Sequence, residues 1–442
     1  MSEAQVQQPF WLTGNFAPTY EEVTETDLQV TGTIPPELNG RYVRNGANPE
    51  TGQSPHWFLG NGMLHAVELN GGRATWYRNR YIRTPQLSSF ASDKPVDDRA
   101  RSLANTHVIS HAGRILALEE GHWPWEVTPE LETVGAYNYG GKLQTGMTAH
   151  PKLCPETGEL LFFAYGMMPP FMTYHRANAA GELVQSEVIE VKGATMVHDF
   201  NVTRNHVIFM DLPLVWNFAG MATGLPIQWS DEYGARLGVM PRNGTNADVT
   251  WYDIDPCYVY HPLNAYEEGD DIVIDVCRMA HSMKPGAKEV PPMLWRWTIH
   301  TKEGRVSEAQ LDERAVEFPR VPDSRVGLRH RYGYMAEFGR SASGGALPAA
   351  VAFRKYDLQT GASTAHDLGK GRFGGEPVFV PAAGASNEDD GYLMSFVFDE
   401  ATRRSELVIA DASNMTAPPV ARVHLPVRVP AGFHGSWVGD GN

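Results

Sequence analysis

Ala431-Gly432-Phe433-His434-Gly435-Ser436-Trp437 lies close to the end of the 442-residue chain. Chain ends usually fray. This one is rich in glycine and aromatic residues, as a segment anchored to the rest of the molecule would be. It follows the strand-like run Val420-Ala-Arg-Val-His-Leu-Pro-Val-Arg-Val429. Its histidine reads as the last of four metal-ligating histidines: His150, His198, His261 and His434. The remainder of the chain is then a scaffold that carries four distant imidazoles to one point.

The intervals from His150 to His198, from His198 to His261 and from His261 to His434 are far too wide for a local motif such as HExxH. They suit a β-propeller, whose successive blades of ~40–50 residues or more each send an inner strand to a common axis. Each histidine also sits at a predicted strand edge: Met147-Thr-Ala-His-Pro-Lys, Met196-Val-His-Asp-Phe, Tyr258-Val-Tyr-His-Pro-Leu, and the terminal loop. Nine others (His111, His122, His175, His206, His281, His300, His330, His366 and His424) stand in turns or strands with nothing around them that suggests a site, and are read as structural.

The segments between these points are strand-like throughout. Short runs rich in Val, Ile, Tyr and Phe are separated by turn signals, as in Leu64-His-Ala-Val-Glu-Leu, Leu160-Leu-Phe-Phe-Ala-Tyr, Asp271-Ile-Val-Ile-Asp-Val and Glu406-Leu-Val-Ile-Ala. Many meet at polar glycine turns that predict hairpins, including Asn70-Gly71-Gly72 and Thr301-Lys-Glu-Gly304. Residues 228–236 predict at best a short helix, and no linker or low-complexity tract interrupts the chain. The expected architecture is all-β, one domain over residues 1–442, with a propeller as its closed form. The apolar run 160–172 is expected to be a lid or a pocket wall.

Composition narrows the function. A chain 42% hydrophobic can bury a large core. A net charge of -15 argues against nucleic acid, which needs a basic surface. Cys154, Cys257 and Cys277 form neither a disulfide framework nor a CxxC zinc pair, so a reducing, cytoplasmic setting is expected. The N-terminal stretch Met-Ser-Glu-Ala-Gln-Val-Gln-Gln lacks basic residues and an apolar run, so no export signal is expected. No run approaches the ~20 residues of a spanning helix. Gly60-Asn-Gly62 is not a GxGxxG loop, so no nucleotide cofactor is expected.

Histidine ligands need an acceptor on the second ring nitrogen to fix tautomer and orientation. Glu120, Glu317 and Glu376 sit in unusually apolar or rigid settings. A buried carboxylate is costly unless paired. These three are read either as partners of Arg320 or Arg372, or as acids behind three of the histidines. Four neutral imidazoles would leave the full 2+ charge on Fe, Zn or Cu.

Taken together, several stretches resemble the carotenoid cleavage oxygenases, a family that includes apocarotenoid and lignostilbene dioxygenases and a retinoid isomerase. They are Leu38-Asn-Gly-Arg-Tyr-Val-Arg-Asn-Gly-Ala-Asn-Pro49, His56-Trp-Phe-Leu-Gly-Asn-Gly-Met-Leu-His65, Arg80-Tyr-Ile-Arg-Thr84, Ala104-Asn-Thr-His107, Thr148-Ala-His-Pro-Lys152, His198-Asp-Phe, His261-Pro-Leu-Asn-Ala-Tyr-Glu267, Glu317-Phe-Pro-Arg320, Glu376-Pro-Val-Phe-Val-Pro381 and Gly432-Phe-His-Gly-Ser-Trp437. The resemblance spans nearly the whole chain. It implies a seven-bladed propeller capped by loops and short helices over one face. It implies one Fe(II) per subunit on the axis, held by His150, His198, His261 and His434, with Glu120, Glu317 and Glu376 behind them. Thr106 resembles the threonine whose methyl crowds an open iron position. The implied reaction is O2-dependent cleavage of a carbon–carbon double bond into two carbonyls, without an organic cofactor. An isomerase or hydrolase on the same metal, or a non-catalytic propeller, are the other classes.

Stilbenoid-cleaving members hold a phenol with a tyrosine and a lysine. Tyr81 stands where that tyrosine aligns, but Glu119 replaces the lysine. A carboxylate cannot stabilise a phenolate, so a carotenoid or apocarotenoid is the favoured substrate over a stilbenoid or phenylpropene. Phe58, Tyr260 and Phe318 are the expected aromatic walls of its tunnel. The apolar segment 212–225 is expected to form the tunnel mouth, to touch a membrane surface transiently, or to pack as a crossing loop.

Overall fold

In the computed structural model, residues 8–90, 95–217, 226–339 and 349–440 are described. Seven antiparallel sheets of four or more strands follow one another around a ring, forming a seven-bladed β-propeller. Five sheets take their strands in chain order. The ring is closed by both chain ends: Gly435–Gly439 adds to Gly40–Ala47, and Val30–Gly32 adds to Ala421–His424.

The strand-like runs read from the sequence are strands. Leu160–Tyr165 shows why some of them do not alternate between apolar and polar. Leu160 and Phe162 pack into one interblade cluster with Leu116 and Leu118, while Leu161 and Phe163 pack into the next with Phe200 and Phe209. A blade flanked on both faces buries both faces, so its strands read as continuous apolar runs. Each fully buried aromatic or aliphatic side chain at these wedges contributes ~1.5–3 kcal/mol.

The predicted hairpins form. At Asn70-Gly71-Gly72 both glycines take positive φ (54° and 79°), which joins Gly62–Asn70 to Arg73–Tyr81. Two local expectations change. Residues 228–236 form no helix: Ile227–Trp229 and Ala235–Pro241 are strands, and Gly234 (φ 73°) ends the single turn between them. The run 420–429 is a strand only at Ala421–His424, because Pro426 has no N–H to continue the ladder.

The cap over one face is loops, 3-10 turns and a two-stranded ribbon pairing Leu214–Trp216 with Ile227–Trp229; among the described residues there is no α-helix. Within the segment 212–225, Leu212 and Leu214 are buried, whereas 218–225 lie outside the described residues. No helix among the described residues is long and apolar enough to cross a membrane. The three cysteines are buried and unpaired.

Candidate metal centre

The innermost strand of every blade brings one residue to the axis. His150 precedes Lys152–Leu153, His198 precedes Asn201–Val202, His261 lies within Tyr258–Glu268, and His434 precedes Gly435–Gly439. Glu317 in Val316–Arg320 and Glu376 before Val378–Pro381 hold the same place in the two blades between His261 and His434. Thr106, before His107–His111, completes the set. The long interval from His261 to His434 is therefore three blades. Positions 106, 150, 198, 261, 317, 376 and 434 recur along the chain at the near-even spacing of a repeat.

All four histidines are buried, and their ligating nitrogens lie within 4.8 Å of one another. His198 Nε2 is 3.1 Å from His150 Nε2 and 3.0 Å from His261 Nε2. Ring nitrogens that close repel unless a proton or cation lies between them. Two donors at right angles, each ~2.1 Å from a shared ion, stand at this separation. The donor set thus fits a divalent transition metal. Burial, reinforced by the neighbouring histidines, pushes His261 down to about 3 and holds His150 and His434 well below the usual imidazole range. These three are neutral, the state that binds metal. Burial also opposes charge on His198, but Glu120 more than offsets it and the net direction is upward.

Three of the four Nδ1 atoms meet a carboxylate. His198 Nδ1 contacts Glu120, whose other oxygen accepts the Tyr165 hydroxyl. His261 Nδ1 is 2.6 Å from Glu317, whose carboxyl burial pushes up to about 8. His434 Nδ1 is 3.1 Å from Glu376, which also accepts the Gly435 N–H at 2.8 Å. Arg320 stands 3.7 Å from Glu376, while Arg372 pairs instead with Asp399 and Glu406. Among the described residues His150 has no such partner: Asp199 stays 3.9 Å from its Nδ1 and is committed to Lys152 at 2.7 Å. His107 also reaches the axis, its ring centroid 5.2 Å from that of His434. Its nitrogens face Ala149 O and Ser436 Oγ, which keeps it out of the ligand set.

A cavity of about 830 Å³ opens on His198, His261 and His434. Its wall is mostly apolar, with Trp57, Phe58, Met196, Ile227, Tyr260 and Phe318. Phe318 stacks on His261 (5.4 Å, 25°) and meets His434 edge-on (5.3 Å, 66°). Its backbone is held at φ 51°, a conformation a phenylalanine adopts only where its surroundings impose it. Tyr260 lies edge-on to His198 (5.3 Å) and its hydroxyl meets Ser282. Thr106 lines the cavity, and its hydroxyl donates to Asn105 Oδ1 at 2.9 Å. The run 160–172 supplies wall residues Tyr165, Gly166 and Met167. A second, more polar cavity of about 460 Å³, lined by Lys152, Asp199 and Arg320 among others, reaches His150, His261 and His434.

Tyr81 is not brought to the cavity. It ends the strand Arg73–Tyr81 and packs with Met63 and Leu87, while its hydroxyl donates to Thr19 O (3.1 Å) and meets the Asn48 amide. Glu119 does line the cavity, but paired to His122, which the sequence reading set aside as structural. An acid three residues before a histidine, across Gly121, was the available signal.

The retinal pigment epithelial membrane protein family profile matches residues 16–439. A carotenoid cleavage oxygenase of Mycobacterium tuberculosis is 39% identical over 500 aligned positions, covering 98% of each chain. The crystal structure of a Pseudomonas brassicacearum lignostilbene dioxygenase superposes with a TM-score of 0.88 at 29% identity, covering 98% of this chain and 99% of that one. A variant of the Synechocystis apocarotenoid oxygenase gives 0.85 at 27%, covering 97% and 98%. With its propeller, its four axial histidines and these relatives, the chain belongs to the retinal pigment epithelial membrane protein family of carotenoid cleavage oxygenases, and it is a dioxygenase.

Proposed function

We propose that the chain is an Fe(II) dioxygenase that cleaves a carbon–carbon double bond of a carotenoid or apocarotenoid with O2, giving two carbonyl products. The observation that carries this reading is a buried four-histidine cluster opening directly on a large, mostly apolar cavity. His150, His198, His261 and His434 would hold the iron, which when bound supplies the activation of O2. Glu120, Glu317 and Glu376 accept the Nδ1 protons and fix each ring with its other nitrogen toward the axis. Phe58, Tyr260 and Phe318 hold an alkene by dispersion and exclude water from the reacting carbons. At about 830 Å³ the cavity is in the upper part of the ~300–1,000 Å³ range of small-molecule sites. It has room for a chain longer than a two-ring stilbenoid.

Tyr81 lies off the cavity, and Glu119 supplies no cation for a phenolate. Both points favour the carotenoid side. The likeness to a lignostilbene dioxygenase keeps a stilbenoid as the second reading. The test is anaerobic loading with Fe(II), then O2, on a β-apocarotenal and a 4-hydroxystilbene in parallel. Shortened apocarotenoid carbonyls are expected. Aromatic aldehydes alone would replace this substrate with the second one.

A further inference from the structure

The connection after Arg114–Leu118 carries two acids with different duties. Glu120 turns to His198; Glu119 turns the other way. Although Glu119 lines the cavity, its carboxylate is saturated by the protein. One oxygen accepts the Ser102 hydroxyl (3.0 Å) and the Leu103 N–H (2.8 Å); the other accepts the Gly121 N–H (3.2 Å) and contacts His122 Nδ1 (2.8 Å). Four donors leave it nothing to offer a ligand. Its role falls on His122, whose ring also lines the cavity. With Nδ1 committed to Glu119, the Nε2 of His122 has no partner among the described residues.

We propose that His122, held in place by Glu119, is the specificity residue that recognises a hydroxyl group on the substrate. The dyad is a polar point in a mostly apolar wall, and a histidine Nε2 can serve as donor or acceptor according to its protonation. A hydroxyl matches both: it donates to the neutral ring and accepts from the imidazolium, whereas a carbonyl pairs only with the latter. Burial works against charge on His122, but Glu119 and, further off, Asp98 outweigh it, so the ring is shifted toward the charged form. The substrate class implied is an alkene with a hydroxylated ring, such as a ring-hydroxylated apocarotenoid. This proposal rests on the alkene-binding reading of the cavity and deepens it.

The experiment is ligand binding in metal-free protein, followed by quenching of intrinsic tryptophan fluorescence, because Trp57 and Trp216 line the cavity. Two ligand pairs differ by one hydroxyl: a 3-hydroxy-β-apocarotenal against its β-apocarotenal, and 4-hydroxystilbene against stilbene. The native protein is expected to favour the hydroxylated member of at least one pair about tenfold, the effect of one buried hydrogen bond. His122→Phe is expected to bring that ratio to about one, and continued binding of the unhydroxylated ligand shows that the cavity is still formed. Glu119→Gln is expected to lower the ratio severalfold by freeing the ring, and it serves as the second variant. A native ratio near one for both pairs, or a ratio unchanged in both variants, overturns the proposal. Because no cleavage is measured, failure here is separate from failure of the dioxygenase reading, which the product assay addresses.

Discussion

Glu317 accepts a hydrogen bond from His261 while buried at the axis, and it never needs to touch the metal to set its affinity. Glu317→Gln keeps the shape but replaces the carboxyl that orients the ring with an amide. Metal affinity is expected to fall about 10–100-fold with the fold retained, measured by competitive metal titration and circular dichroism; unchanged affinity would remove the carboxylates from the account. Tyr81 gives the opposite expectation. Tyr81→Phe loses the bond to Thr19 O, which costs about 1 kcal/mol of stability, and leaves kcat and KM for cleavage unchanged. A rise in KM for a phenolic substrate would return Tyr81 to the site. At this scale the four histidines and three glutamates were legible because each sits in a distinctive short stretch. The pairing of Glu119 with His122 was not, because residue identity alone does not say which way a loop carboxylate turns. Tyr81 was misplaced because its hydroxyl is claimed by Thr19 and Asn48, far away in sequence.

The innermost strands act as seven equivalent carriers, and their register decides what reaches the axis. The C-terminal carrier is the tightest. A Cβ on Gly432 would lie 1.5 Å from Arg44 Nη1 and 2.9 Å from Asn45 O, and Arg44 is itself buried and donates to Pro430 O at 2.6 Å. Gly432→Ala is expected to cost ~1–3 kcal/mol by overpacking and, because Phe433 and His434 follow directly, to lower metal occupancy as well. Thermal unfolding with metal analysis checks both; loss of neither would mean that the segment shifts freely. Strand Met172–Ala177 carries a buried histidine with no part in the centre. His175 stacks on Phe162 (5.0 Å) between Thr145 Oγ1 and Ser186 Oγ, each 2.9 Å away, and burial pushes it down to about 4. Its folded pKa lies below its unfolded value near 6.5, so the unfolded chain takes up the proton first. The stability this gives is present above pH ~6.5 and is lost as pH falls through about 4. Between pH 7 and 4.5, His175→Gln is expected to lose ~2–3 kcal/mol less than the native protein, read from denaturant unfolding at the two pH values; equal losses would mean the ring is not held neutral. The strands themselves were legible from their β-branched and aromatic runs and glycine turns. The equivalence of Glu317 and Glu376 with the histidines was not drawn, because unlike side chains at like positions hide the repeat.

Across the whole molecule, sequential sheets closed by both chain ends bring together groups from distant parts of the sequence. The first blade needs Gly435–Gly439 and the last needs Val30–Gly32, so the ring and the centre are completed by the same terminal residues. An all-β ring could be read from the pattern of strands and from the blade-like spacing of His150, His198 and His261. The number of blades could not, because the blades share no recurring sequence and seven followed only from the family resemblance. Closure explains why a segment near a chain end has the composition of a core: it is the inner strand of a ring, buried on the axis side by His434 and its neighbours. The central claim is that this ring holds a metal which turns O2 onto an alkene in the adjoining cavity. The measurement that tests it most directly is cleavage of an apocarotenal by Fe(II)-loaded protein under ¹⁸O2, with both products trapped and weighed by mass spectrometry. Label in both carbonyls is the result the account predicts, together with its loss in His261→Ala and His434→Ala. Full activity and full metal content in those variants, or unlabelled products from the native protein, would contradict it.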